Sequence, residues 1–133
     1  MLPDQYDLAG STVLVAEDEA VVALELEATL RRHGCAVLGP AVTVAEGLTL
    51  LARQTPKAAL VNARLQDGSA LSLVTALKAA GVPVGLATGY GAGELEEPLR
   101  ELPVLSKPHH PFAVLAFIGR LIGGGHPLPH TCI

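Results

Sequence analysis

Polar residues close four of the five short apolar runs in this chain, and their types suit the binding of a cation and a phosphoryl group. They are Glu17 and Asp18 after the first run, Asn62 after the third, Thr88 at the end of the fourth and Lys107 after the fifth. Two adjacent carboxylates with a further oxygen ligand are typical of a Mg²⁺ site. A lysine supplies a point charge for phosphoryl oxygens, and a threonine hydroxyl can donate to one of them.

This set lacks a nucleophile, and the natural place for one is the end of the third run, where Asn62 stands. A carboxylate at that position could attack a phosphoryl group. A carboxamide is neutral and its lone pairs are delocalised, so it is far less nucleophilic, although its oxygen can still bind a metal. Asp67 is the nearest alternative acceptor, but an Asp-Gly pair is typical of a turn that would hold it away from the pocket.

The elements that must position these residues are visible in the hydrophobic pattern. Short apolar runs alternate five times with longer amphipathic segments, which predicts alternating strands and helices. A capping box of Thr43 and Glu46 marks the start of the second helix, Gly34 ends the first, and Pro111 suits the first turn of the last. We expect Gly39-Pro40 to stop the second strand. The segment that holds Pro98 is a poor helix.

Five strand–helix units predict an α/β, flavodoxin-like (βα)5 fold, doubly wound around a five-stranded parallel sheet in the order 2-1-3-4-5. The strands are apolar without alternation, which fits burial on both faces. In such folds ligands bind outside the carboxyl ends of the strands. The polar residues named above lie at four of these ends, and this joint arrangement predicts one shared site.

Composition limits the remaining possibilities. The chain has 133 residues, half of them hydrophobic, and a net charge of −4, so one domain with a substantial core is expected and a nucleic-acid surface is not. No run is long enough for a membrane helix and the first residues lack a basic signal region, which favours a cytoplasmic location. We expect an extension over 1–10, one domain over 11–123 and a flexible tail over 124–133. Cys35 is expected to be a core residue.

Four segments carry a family resemblance. "VLVAEDE", "ALVNARLQDGSA", "LATGYG" and "VLSKP" occur in the order and at the spacing of response-regulator receiver domains, and the chain resembles this CheY-like family over residues 10–123. "LATGYG" further resembles the FATGUY subgroup of stand-alone receivers, with Leu86 where the subgroup has Phe. The resemblance implies a part in two-component signal transduction or a phosphorelay.

The resemblance also implies roles for individual residues. Asp18 would bind Mg²⁺ directly and Glu17 through water, and the backbone carbonyl of Arg64 would be a further ligand. Asn62 stands at the phosphoacceptor position, where the family has Asp, so any Mg²⁺ site that includes it would be weakened.

Two further residues complete the implied site. Thr88 matches the switch hydroxyl and Lys107 the lysine that pairs with the phosphoryl group, with a cis bond usual at Lys107–Pro108. The chain departs from the family at Val104, where an aromatic switch residue is usual, and at His109, where Phe is usual.

These features favour a pseudo-receiver: a non-enzymatic module that signals by docking and acts in trans. The resemblance implies that its partners are a histidine kinase or phosphotransfer protein and a downstream signalling protein, bound at the surface of helix 4, strand 5 and helix 5 that the family uses. A homodimer is also compatible with the sequence. The exposed candidates on this surface are Tyr90, Leu95, Leu99, His109 and His110.

Two alternatives stay open. One is an ordinary phosphorylatable receiver in which Asn62 replaces a native aspartate as an introduced change. The other is a flavodoxin-like binder of a small molecule. This second alternative is disfavoured because acidic residues, rather than a glycine-rich phosphate loop, follow the first strand.

Overall fold

A computed structural model of the chain describes residues 8–89, 95–107 and 110–123. The expectations for Tyr90, for the Lys107–Pro108 bond, for His109 and for the tail over 124–133 lie outside these residues. None of the helices in the described ranges has the length and apolar character needed to cross a bilayer.

The predicted fold is confirmed. Five strands form one parallel sheet; they are β1 (Thr12–Ala16), β2 (Ala36–Ala41), β3 (Ala58–Val61), β4 (Val84–Thr88) and β5 (Val104–Ser106). Their order is β2-β1-β3-β4-β5, which is the doubly wound order expected from the sequence. β1, β3 and β4 are almost wholly buried, which explains why their sequences are apolar without alternation.

Helices cover both faces of this sheet. They are α1 (Ala20–Arg32), α2 (Val44–Arg53), α3 (Leu71–Ala79) and α4 (Pro111–Gly123), with a 3-10 helix at Glu97–Glu101 and a short hairpin that pairs Arg64–Leu65 with Gly68–Ser69. Residues of α1 and α4 share one apolar cluster with one face of the sheet. Residues of α2, α3 and the 3-10 helix share the cluster on the other face.

The local helix signals act largely as predicted. Thr43 Oγ1 accepts a hydrogen bond from the Glu46 N–H at 3.0 Å, which is the first half of the expected capping box. The Glu46 carboxylate instead reaches one residue further back, to the N–H of Val42 at 2.7 Å. Gly34 follows the end of α1 with a φ of +87°, and Pro111 is the first residue of α4.

The prediction that Gly39-Pro40 stops the second strand is wrong, because β2 continues through this pair to Ala41. The register between β1 and β2 shifts here, so that β2 carries a bulge. β2 is an edge strand, where a residue without an N–H is tolerated. Gly39 has a φ of +102°, and a Cβ there would lie 2.7 Å from the Val15 carbonyl oxygen, so the bulge requires glycine.

The expectation that Leu95 and Leu99 are exposed is also wrong. Leu95 is 6% exposed and Leu99 1%, and both belong to the apolar cluster that they share with α2 and α3. Among the described residues from 95 onward, this acid-rich segment forms a 3-10 helix over Glu97–Glu101. Its few leucines, Leu102 included, are the apolar surface by which it can pack on the sheet.

The first described residue, Leu8, is already part of the packed structure. It is buried, and the Cys35 thiol lies 3.6 Å from its carbonyl oxygen. Cys35 is buried as predicted, and its burial raises the pKa of the thiol above its usual value. A neutral, enclosed thiol of this kind is a packing residue rather than a nucleophile.

The packing of α4 on the sheet gives a stability prediction. A Cβ added at Gly85 would lie 2.5 Å from Cζ of the buried Phe117 ring. We expect Gly85→Ala to destabilise the fold by about 1–3 kcal/mol, the usual range for overpacking. Gly123→Ala, where a Cβ would meet no atom within 4 Å, is the control and should change stability by less than about 0.5 kcal/mol. Urea unfolding measures both; equal effects would contradict this packing.

Candidate functional site

The carboxyl ends of β1, β3, β4 and β5 bring the predicted polar residues to one edge of the sheet. Glu17 follows β1 and Asn62 follows β3, and the two strands are neighbours. Glu17 is 1% exposed, Asn62 8% and Thr88 1%, so these are buried polar groups in an otherwise apolar interior. Buried polar groups require partners, and those partners define the site.

Asn62 joins the two acids that follow β1. Its Nδ2 lies 3.0 Å from Glu17 Oε2 and 3.4 Å from Asp18 Oδ1, and donates to both. Its Oδ1 lies 3.5 Å from the backbone N–H of Arg64, at the start of the hairpin. The carboxamide therefore turns its donor side toward the acids and its acceptor side toward the backbone.

Lys107 closes the other side of the pocket. Its Nζ lies 2.7 Å from Glu17 Oε1 and 2.8 Å from Glu19 Oε1. Glu17 Oε2 also accepts from the backbone N–H of Glu19 at 3.0 Å. Both oxygens of the buried Glu17 carboxylate are thus matched by positive or donor groups, as an ionised carboxylate in this position requires.

The charges in this pocket support one another. Burial alone would lower the pKa of Lys107, but its hydrogen bonds to Glu17 and Glu19 and their negative charge outweigh burial, so the pKa lies above its usual value. The same hydrogen bond and the charge of Lys107 lower the pKa of Glu19. Lys107 and Glu19 are therefore charged throughout the neutral range.

Thr88 and Arg64 lie beside this cluster. Thr88 ends β4, pairs with Ser106 of β5, and its carbonyl accepts from the Lys107 N–H at 3.3 Å. This bond fixes the backbone from which the lysine extends. The Arg64 side chain is exposed, and its residue pairs with Ser69 across the hairpin. The roles predicted for the Thr88 hydroxyl and the Arg64 carbonyl stay predictions.

Asp67 has a structural role that the sequence did not reveal. Its carboxylate accepts from the N–H of Val44 at 2.7 Å and of Ala45 at 3.2 Å, the first two residues of α2. These hydrogen bonds lower the pKa of Asp67, and the bond from Val44 has the largest effect. The carboxylate caps the helix, in keeping with the expectation that Asp67 is held away from the pocket.

The described residues only partly fit the Mg²⁺ that receiver domains typically bind. Glu17 and Asp18 are suitable oxygen ligands with a shared direction of approach. Asn62, however, presents its nitrogen rather than its oxygen to them. Among the described residues no group of three or more acidic, histidine or cysteine side chains could hold a metal. The donor set as arranged is therefore incomplete for this ion.

The sequence does not reveal the place of Glu19 or the exposure of Phe112. Glu19 shares Lys107 with Glu17, and only its place directly after the acidic pair could have indicated this. Phe112 is 54% exposed at the start of α4, and its N–H donates to His110 Nδ1 at 3.1 Å. An apolar side chain in an apolar helix gives no sequence signal of exposure.

The five-stranded parallel sheet and its strand order match the flavodoxin-like fold of receiver domains. No protein-family model and no curated protein matches the chain. Several solved structures match the chain. The PhyR receiver domain of Erythrobacter litoralis is 26% identical with a TM-score of 0.78, covering 92% of this chain and 98% of its own. SdrG from Sphingomonas melonis is 28% identical with a TM-score of 0.74, covering 84% and 96%.

A third structure, of the PhyR stress response regulator, is 34% identical with a TM-score of 0.73 and covers 89% of this chain but 47% of its own. The chain spans about half the length of this and other PhyR structures that it matches. These structural neighbours are receiver domains and response regulators, and they support a receiver domain of two-component signalling.

The Glu17–Lys107 pair gives a second stability prediction. Lys107→Met removes the ammonium and leaves the buried Glu17 carboxylate without its counter-charge. We expect a loss of roughly 2–4 kcal/mol, somewhat below the range for fully buried pairs because the lysine side chain is 13% exposed. The measurement is urea unfolding at neutral pH.

Glu19→Gln is the matched control, because it removes the exposed partner of the same lysine. The Glu19 side chain is 62% exposed, so this change should cost less than about 1 kcal/mol. A loss of that small size for Lys107→Met as well would show that Glu17 does not depend on the lysine.

The cap formed by Asp67 predicts a pH dependence. Since folding lowers the pKa of Asp67, its contribution is complete above the unfolded-state pKa and disappears as the pH falls through the folded-state pKa. We therefore expect Asp67→Asn to lower the melting temperature at neutral pH and to differ less from the wild type in acid. Glu101→Gln, an exposed change of equal charge, controls for net charge. A melting-temperature difference that does not depend on pH would contradict the cap.

Proposed function

We propose that this chain is a pseudo-receiver of two-component signalling, which acts by docking to protein partners without accepting a phosphoryl group. The observation that carries the proposal is the carboxamide of Asn62, held at the end of β3 by Glu17 and Asp18. At this position the receiver family has its nucleophilic carboxylate. The carboxamide lacks the nucleophilic lone pair needed to form an acyl phosphate.

The resemblance of "LATGYG" to the FATGUY subgroup supports a narrower assignment, and we include this subgroup in the proposal. Val104 is consistent with loss of the usual switch, because it is half-buried in β5 and has no ring to exchange positions with Thr88. Receiver domains are generally non-enzymatic signalling domains. The proposed activity is therefore binding alone.

The proposed partner surface consists of the 3-10 helix, β5 and α4. Receiver relatives of the PhyR type act through protein–protein interactions, which supports protein partners in general. Because Leu95 and Leu99 are buried, they cannot form this surface without unfolding the segment. We propose Phe112 and His110 as its exposed part, facing a histidine kinase, a phosphotransfer protein or a downstream signalling protein.

One observation favours the second candidate, a receiver that could be phosphorylated if Asn62 were aspartate. Glu17 and Asp18 both contact Asn62, and Lys107 contacts Glu17, which supports a pocket that lacks only its nucleophile. In that case the carboxamide would be the only barrier to phosphotransfer.

A phosphorylation assay tests the proposal. Acetyl phosphate or beryllofluoride with Mg²⁺ should give no adduct on the wild type, since no nucleophilic carboxylate stands at the end of β3. Asn62→Asp restores that carboxylate and should be phosphorylated in a Mg²⁺-dependent way. Mass spectrometry under neutral conditions detects the adduct. Asn62→Asp treated with a chelator is the control and should carry no adduct.

The wild type and Asn62→Asp together distinguish the two candidate functions. An adduct on the wild type, at Asp67 or any other carboxylate, would overturn the pseudo-receiver proposal. An Asn62→Asp protein that accepts no phosphate would rule out the second candidate and show that the pocket has changed beyond one residue.

A further inference from the structure

The side chain of Asn62 occupies the point at which the two acids after β1 converge. Its Nδ2 lies 3.0 Å from Glu17 Oε2 and 3.4 Å from Asp18 Oδ1. The carboxamide carries two N–H donors on this nitrogen, enough to serve each carboxylate with one. Each N–H presents a partial positive charge to an acid, in the direction from which a cation would otherwise be bound.

The orientation of the carboxamide is determined on both of its sides. If the amide were turned over, Oδ1 would face two carboxylates and the NH₂ group would face the N–H of Arg64. Both new contacts would be repulsive, whereas all three present contacts pair a donor with an acceptor. The surroundings therefore select the nitrogen toward the acids.

Lys107 completes this arrangement from the opposite side of Glu17. Its ammonium lies 2.7 Å from Glu17 Oε1, while Oε2 of the same carboxylate accepts from Asn62 and from the backbone of Glu19. Glu17 is 1% exposed, so water contributes little to the stability of its charge. The chain's own donors supply that stabilisation.

We propose that Asn62 acts as a built-in substitute for a cation: its amide N–H groups, together with Lys107, satisfy the acidic pair and oppose the binding of Mg²⁺ there. This inference rests on the proposed function and deepens it, because it says how a pocket without a phosphoacceptor keeps its shape in the absence of metal. Asn62 is then a competitor of the metal and not one of its ligands.

The comparison of wild type with Asn62→Ala distinguishes a competitor from a ligand. Alanine removes both the amide N–H groups and the oxygen, and it adds no charge. If Asn62 competes with the metal, Asn62→Ala should bind Mg²⁺ more tightly than the wild type, by about three-fold or more. If Asn62 Oδ1 were a ligand, the alanine variant should bind more weakly.

Mg²⁺ titration followed at the backbone amides of Asp18 and Glu19 measures the affinities of the wild type and of Asn62→Ala. A parallel titration with NaCl at equal ionic strength accounts for general salt effects. Equal or weaker binding by Asn62→Ala overturns the inference. Asp18→Ala is the control. It removes a carboxylate, so it should abolish the Mg²⁺-dependent shifts both in the wild type and in the Asn62→Ala variant. A wild type that accepts no phosphate would still be compatible with each of these results, so the two proposals fail separately.

A second measurement needs no variant and applies if Asn62→Ala does not fold. Asn62 is the only asparagine in the chain, so labelling asparagine with ¹⁵N gives one side-chain NH₂ signal. We expect its protons to exchange slowly in the absence of Mg²⁺, because both N–H groups are donated to buried or half-buried carboxylates. Fast exchange of both protons in the metal-free protein would show that the amide does not satisfy the acidic pair, and would overturn the inference.

Discussion

The charge of Glu17, buried at the end of β1, is the constraint on which the rest of the site depends. A carboxylate that is 1% exposed has almost no water, and an unmatched charge in such a place is strongly unfavourable. Three groups match it: the Lys107 ammonium, the Asn62 amide and the backbone N–H of Glu19. They come from three separate parts of the chain, so the tertiary fold itself is needed to stabilise one side chain.

The doubly wound sheet makes this possible because its parallel strands all end at one edge. β1 and β3 are neighbours, so residues that directly follow them meet without any long connection. Lys107 reaches the same place from β5, two strands beyond β3, by means of its long side chain and the hydrogen bond that ties its backbone to Thr88. Asp67 adds support from outside the pocket, since it anchors the hairpin after β3 to the first turn of α2.

The strands, their order and the meeting of polar residues at one edge could be predicted because each follows from local pattern and chain topology. Apolar runs without alternation indicate strands buried on both faces, and four of the five runs are closed by a recognisable polar residue. The path of β2 through Gly39-Pro40 could not be foreseen, because tolerance of proline depends on the strand lying at an edge. The burial of Leu95 and Leu99 does not follow from the family resemblance, which implies a helical surface here. Leu99 instead lies buried in a 3-10 helix, and Leu95 is buried just before it.

Within the site, the sequence identified which residues meet but not which atoms face one another. That Asn62 lies beside Glu17 and Asp18 follows from strand order; that its nitrogen faces them follows from the Arg64 N–H on its other side. An aspartate here would place a third carboxylate among two others, an arrangement that favours a bound cation. The amide instead satisfies the acids with groups that the chain carries permanently. The shape of such a pocket depends on folding and not on a bound metal. Under the proposed function, docking by this protein then depends on which partners are present and not on phosphoryl transfer.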